Sequence, residues 1–455
     1  MAKHMRSNDL TAIGRRLRWP IVAVLVVIGA LALSGRFGAS SPTDPSALAP
    51  STDSRSAAPD ASMSATEQDI AKYYALVQEN PDTVDAYVLL GSAYVQYVRE
   101  RGDPADYGRA EAAFAEALQR DPDNVIALVG KGALALARHE FREALEIGQR
   151  AISIEPNQPG AYGLIADAQT ELGMYEEAVG SLQIMVDLRP DLASYSRISY
   201  QRELRGQIDP AIEAMEAAYR AGGMATENTE YVRVLMGNLH FAKGDLETAE
   251  AIFQASLDSS PDFVWALSGL ARVRAAEGEL DEAIDLYQRA VDQIPLPEFV
   301  IALGETQEAA GLSEAASDTY ELVEAIQALF EANGVNTDLD LALFTANHGD
   351  DPDAAVELAR AAYEDQPSIK AAEALGWALF KADQLDEAEQ YAEEALRLGT
   401  RDGLFLYHAG MIAKARGDLD TSRARLSEAF EVNPHFSPLY EPLAQAALDE
   451  VADGS

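Results

Sequence analysis

Proline returns along this chain at one spacing. Pro122, Pro156 and Pro190 stand 34 residues apart, as do Pro261 and Pro295, while Pro367 and Pro434 are 67 apart, close to two periods. A period of 34 residues is that of a helix–turn–helix unit repeated in tandem. Each unit is too small to bury its own apolar face. It must stack on its neighbours, and the stack grows without one large central core.

Charge divides the chain into two unequal parts. Residues 1–35 hold Lys3, Arg6, Arg15, Arg16 and Arg18 against one acid, Asp9. The formal net charge is −40, so the remainder is more acidic than the whole. Such a surface repels nucleic acid and attracts basic partners. There is no cysteine, which excludes disulfides, thiolate metal sites and thiol catalysis.

Residues 19–35, from Trp19 to Gly35, are uncharged and include an unbroken apolar run from Ile21 to Ile28. As a helix this segment is roughly 25 Å long, the lower limit for crossing a bilayer. All five bases precede it. The expected arrangement is a basic cytoplasmic tail over 1–18 and a transmembrane signal anchor over 19–35, with everything beyond it exported from the cytoplasmic membrane in a single pass. A cleaved signal peptide competes with this reading, because Ala32-Leu33-Ser34 offers small residues at a cleavage spacing. Residues 36–65 are dominated by Ser, Pro and Ala and read as a disordered linker.

The repeats carry a residue pattern as well as a period. Tyr87, Leu90, Gly91 and Tyr94 are followed by Ala110, Phe114, Ala117 and Pro122. Gly91 lets a second helix cross closely, the two alanines keep the seam narrow, and proline ends the second helix. The set recurs with Gly132, Ala144, Ala151 and Pro156, and again with Gly237, Ala249, Phe253 and Pro261. In phase, ten units cover about residues 82–434. In these residues the chain resembles the tetratricopeptide repeat family, and its tail and apolar segment resemble the N-terminally anchored bacterial members.

The resemblance implies an all-α fold: a right-handed superhelical solenoid of about ten helix pairs, preceded by one transmembrane helix and a linker. The solenoid is expected over 66–451, with a half-repeat cap at 66–81 and a C-terminal capping helix at 438–451. Seven extra residues fall around Arg99–Pro104, and the seventh unit is expected to have a long second helix from Ser313 to about Asn333. A bend or change of pitch is expected near 324–340.

In this family the first helix of each unit lines a concave face. Counting its outward positions places Tyr200 in unit four, Tyr231, Asn238 and Phe241 in unit five, and Trp265 and Arg272 in unit six. It places Trp377 and Phe380 in unit nine, and Tyr407 and Met411 in unit ten. Exposed aromatic rings are the usual anchors of protein interfaces. The competing reading is that the rings pack between helices. Asn238 and Asn347 stand near the family's carboxylate-gripping places, but Val234 and Asp340 occupy those of the matching lysines.

No catalytic or metal motif emerges. No two of the six histidines lie within four residues of each other, and phosphate loops and nucleophile elbows are absent. Asp350, Asp351 and Asp353 read as helix caps. The expected role is therefore a scaffold or assembly factor of the cell envelope, not an enzyme, with no cofactor and with protein or peptide partners of basic character. The alternatives are a secreted binding protein for a cationic partner and a non-catalytic arm of an envelope enzyme complex.

Overall fold

The computed structural model describes residues 48–50, 63–223 and 227–453. The basic tail 1–18 and the apolar segment 19–35 lie outside the described residues. Among the described residues no helix is long and apolar enough to cross a membrane.

The described residues form 22 α-helices and no strand. Ten consecutive pairs run from α2 (Val84–Arg101) with α3 (Tyr107–Arg120) to α20 (Gly403–Arg416) with α21 (Leu419–Val432). A single helix stands at each end, α1 (Ala65–Glu79) and α22 (Glu441–Asp453). The last helix begins a few residues later than Pro438, because the Ser437 side chain caps a turn by accepting from the Leu439 and Tyr440 amides at 3.3 and 3.2 Å.

Helix starts follow local chemistry. At α1, the Ser64 hydroxyl accepts from the Glu67 amide at 3.1 Å while the Ser64 amide donates to the Glu67 carboxylate at 2.8 Å. That reciprocal pair satisfies two otherwise orphaned donors. Asp351 caps α17 (Pro352–Asp365) by accepting from the Asp353 and Ala354 amides at 3.1 and 3.2 Å.

Packing explains the Gly–Phe pattern. Phe114 is fully buried, and a Cβ on Gly91 or Gly130 would stand 2.8 or 2.4 Å from its ring. The same arrangement recurs at Phe253, clasped by Gly237 and Gly269 at 2.6 and 2.4 Å. One phenylalanine from a second helix thus fills the space between the first helices of two neighbouring units, and only glycine leaves room for it.

The linker expected over 36–65 is corrected at residues 48–50. Leu48 is buried at 4% exposure in the apolar cluster of the first units. The Tyr94 hydroxyl donates to the Leu48 carbonyl at 2.9 Å, and Arg109 Nε donates to the Ala49 carbonyl at 3.0 Å. The extra residues of unit one build this seat. They form a 3₁₀ turn over Pro104–Asp106, where buried Asp106 pairs with Arg109.

The irregular stretch near 324–340 serves a tertiary contact. α15 (Ser313–Ala332) is a 20-residue helix. Its Phe330 packs against both the cluster of units five to seven and the cluster of units one and two, which Val335 also joins. The additional turns carry apolar side chains back to the start of the array.

That contact belongs to a longer seam. His139 Nδ1 donates to the Asn336 carbonyl at 2.6 Å, and the Asn336 amide donates to the Arg138 carbonyl at 3.0 Å. The Ile369 amide donates to the Tyr175 hydroxyl at 2.8 Å. Thr400 donates to the Leu204 carbonyl at 2.6 Å, and Asn433 Nδ2 to the Phe241 carbonyl at 3.0 Å. The partners are separated by 197, 194, 196 and 192 residues. The turn inside each early unit therefore sits on the loop leaving the unit five places later, and the coil closes on itself. Gly173 and Gly206 adopt φ of 72° and 66°, and a Cβ on either would stand 2.3 or 2.4 Å from the carbonyl oxygen of Pro367 or Gly399. Glycine is required there both for the left-handed backbone and for the close approach.

Candidate partner-binding interior

The first helices bring part of the expected set together. Tyr231, Trp265 and Phe299 form a chain of edge-to-face rings with centroids 5.4 and 5.0 Å apart, one ring from each of units five, six and seven. Tyr231 and Trp265 are half-buried, as is Tyr200. Lys370 of unit nine, itself exposed, places its ammonium 5.0 Å from the centre of the Tyr200 ring. Arg272 donates to Asn238 Oδ1 at 2.6 Å and lies over the Phe241 ring at 4.5 Å.

The other expected residues take a different place. Trp377, Tyr407 and Phe241 are 3%, 2% and 5% exposed. Trp377 stacks on His408 at 3.7 Å and on Phe380 at 4.8 Å, and its indole donates to Asn347 Oδ1 at 2.7 Å. His408 is in turn paired with buried Glu373. Phe380 and Met411 are half-buried against the same cluster. Helical spacing alone cannot separate a ring that faces inward from one clamped by the next unit. Tyr407 stacks at 5.7 Å on Tyr440, the residue before the last helix, and Phe241 is covered by the Arg272 guanidinium. Asn238 and Asn347 each accept a hydrogen bond through the amide oxygen, and Val234 and Asp340 stand where the matching lysines of a carboxylate grip would be.

Charges from distant units converge on the aromatic group. Lys370 is held above the ordinary lysine value by Tyr200 beside it and by Glu171 and Glu203. Burial pushes Glu203 up, against Lys370 and Arg272. Crowding by surrounding protein also raises Asp402 and Asp340, although both side chains reach water. Glu298 is pushed up to about 7 by its surroundings and by the charge of Asp340, although its side chain still reaches water. Burial raises the Tyr200 hydroxyl to about 12, so it is neutral near pH 7 and donates or accepts as a phenol.

Glu298 and Asp340 stand in units seven and eight two residues before the place that Tyr87 holds in unit one, as Tyr231, Trp265 and Lys370 do in their own units. Extending the count through the irregular units would have found them. Nothing in the repeat pattern marks Asp402, which caps α20 by accepting from the Leu404 and Phe405 amides at 2.8 and 3.1 Å.

A separate cavity of about 590 Å³ opens between α15 and α16 (Asp338–His348), lined by Tyr320, Glu321, Glu324, Phe344 and His348 among others. Tyr320 donates to Glu308 at 3.0 Å within its wall.

The sequence profile of the tetratricopeptide repeat matches residues 98–162, 234–296 and 346–402, and a second profile of the same description matches 135–198. Cellulose synthase operon protein C of Pseudomonas fluorescens (strain SBW25) is 26% identical over 231 residues, which cover 48% of this chain and 18% of that protein. Anaphase-promoting complex subunit 7 of Arabidopsis thaliana is 22% identical over 212 residues, 46% of this chain and 37% of that protein. The chain thus spans well under two thirds of these relatives. Among solved structures, a human IFIT1 dimer with PPP-AAAA superposes with a TM-score of 0.44 at 14% identity, covering 81% of this chain and 91% of that one.

Proposed function

From a chain that carries tetratricopeptide repeats, we propose a scaffold that holds a protein partner against the inward-facing side chains of units four to nine. The observation that carries this reading is the convergence of half-buried Tyr200, Tyr231 and Trp265 with Lys370, Glu203, Glu298 and Asp340 from units that lie far apart in sequence. Aromatic faces supply apolar area at low entropic cost, and the surrounding carboxylates favour a partner with basic side chains. Relatives named for a cellulose synthase operon and for an anaphase-promoting complex subunit share the array. These relatives belong to different settings, so likeness does not choose one for this chain.

The residues before the array supply the second part of the proposal. The leading bases and the apolar segment 19–35 support a tether in the cytoplasmic membrane with the repeats outside the cytoplasm, where they would serve an envelope assembly. Intact mass of the membrane-extracted protein distinguishes the retained segment from cleavage near Ser34.

A photo-crosslinking residue placed at Tyr231 or Trp265 should capture a discrete protein in the native cells. The same residue at Glu314, exposed on a second helix, should not. Equal capture from both positions, or from neither, would overturn the interior as the partner site.

A further inference from the structure

The seam has a consequence for what can reach the interior. Side entry between successive turns of the coil is occupied by the protein's own loops. Five early turns, at Gly102, His139, Gly173, Leu204–Gly206 and Phe241–Gly244, meet late loops at Ile294, Asn336, Pro367, Gly399–Thr400 and Asn433–Pro434. The contacts are direct: the Arg397 guanidinium donates to the Gly173 carbonyl at 3.2 Å, and Arg142 donates to the Glu364 carbonyl at 2.7 Å.

Side chains from distant units also meet beside the aromatic chain. Arg99 of unit one reaches Glu227 of unit five at 3.0 Å, and Gln96 donates to the same carboxylate at 3.1 Å. Units one and five do not stack on each other, so the pair joins helices that lie four places apart along the array. Arg99 also lies 5.8 Å from the centre of the Tyr231 ring, at the head of the aromatic chain. The space beside Tyr231 and Trp265 is therefore bounded by unit one as well as by units five and six.

We propose that the seam makes this interior a closed site that admits one extended chain segment and excludes a folded domain unless the seam parts. The proposal rests on the interior being the partner site, but closure is testable without any partner. An extended segment presents its side chains on alternate sides and has a cross-section of the order of one strand, about 10 Å with side chains. A folded domain is several times wider. Carboxylates along the walls suit a segment bearing Lys or Arg, whose stems pack along rings while their charged ends meet acids.

The absence of cysteine makes the test direct. Glu298→Cys places one thiol in the interior, and Glu314→Cys places one on the outside. Three maleimides are compared: N-ethylmaleimide, a long linear polyethylene glycol maleimide, and a maleimide carried by a folded single-domain protein. Both flexible reagents should label Glu298→Cys. The folded conjugate should label Glu314→Cys and fail at Glu298→Cys, slowed at least roughly tenfold as for any reaction that awaits a local opening. Adding Tyr175→Phe, Thr400→Ala and Asn433→Ala should restore labelling by the folded conjugate with helicity retained.

Should that triple change lose helicity, the milder Arg397→Ala with Thr400→Ala gives the same readout. Equal labelling of both thiols by the folded conjugate in the intact protein would overturn closure. Failure of the flexible reagents at Glu298→Cys would overturn admission of an extended chain. Unchanged exclusion in a folded seam variant would overturn the seam as the gate. None of these outcomes depends on the crosslinking result, so failure of closure is distinguishable from failure of the interior as a partner site.

Discussion

Phe253 and Trp265 stand twelve residues apart and show how one residue class splits into two roles. Phe253 is fully buried between two glycines, so Phe253→Ala leaves a cavity that the backbones of Gly237 and Gly269 cannot close. A loss of about 3–5 kcal/mol is expected, read as a lower midpoint in urea unfolding. Trp265 is half-buried and keeps part of its face open. Glu298 carries a pH signature. Its carboxyl binds the proton more tightly in the folded protein, at about 7, than at the ordinary 4.5 of the unfolded chain. The stability it contributes is therefore fully present below about 4.5 and is lost as pH rises through about 7. Glu298→Gln should leave the urea midpoint nearly unchanged near pH 4.5 and raise it relative to the wild type near pH 8, by a small amount because water screens the exposed group. A pH-independent difference would count against this account.

At the scale of elements, the 3₁₀ turn over Pro104–Asp106 is the piece that most changes the reading of its surroundings. The extra residues of unit one read as an insertion, and Ser/Pro/Ala composition reads as a free linker. Together they form one contact, in which Tyr94 and Arg109 hold the carbonyls of Leu48 and Ala49. Tyr94 is nearly inaccessible, and burial raises its hydroxyl above the usual tyrosine value, so the Leu48 carbonyl supplies the acceptor that a buried phenol needs. Leu48→Asp should cost about 2 kcal/mol locally. Hydrogen exchange would read this as faster exchange of amides 104–114, with those of 280–293 unaffected. Uniform protection in the variant would show that the contact adds nothing to unit one.

At the scale of the whole array, stacking of neighbours and closure of the coil obey different rules. Neighbouring units meet through Gly, Ala and Phe at fixed phase, and that geometry repeats every 34 residues or so. Closure joins units whose partners lie 192 to 197 residues apart, largely through backbone carbonyls of turns. The helix pairs, the two end helices and the long second helix of unit seven were legible, because each leaves a side-chain pattern. Inside the units, Gly102, Gly173, Gly206, Gly244, Gly278, Gly311 and Gly417 take positive φ at the turns. The candidate site was legible only in part. Tyr200, Tyr231, Asn238, Trp265 and Arg272 are half-buried on first helices, whereas Phe241, Trp377 and Tyr407 are buried in the packing between helices.

By itself, then, the order of residues determined the repeating unit, because helix pairing is a local matter of period, small residues and stops. Whether a given aromatic side chain faces the interior depends on how far the next unit rotates. Whether the interior is open or closed depends on where the coil returns. Both are sums of small rotations over many units and are settled by contacts between turns and loops nearly two hundred residues apart, which only the tertiary structure brings together.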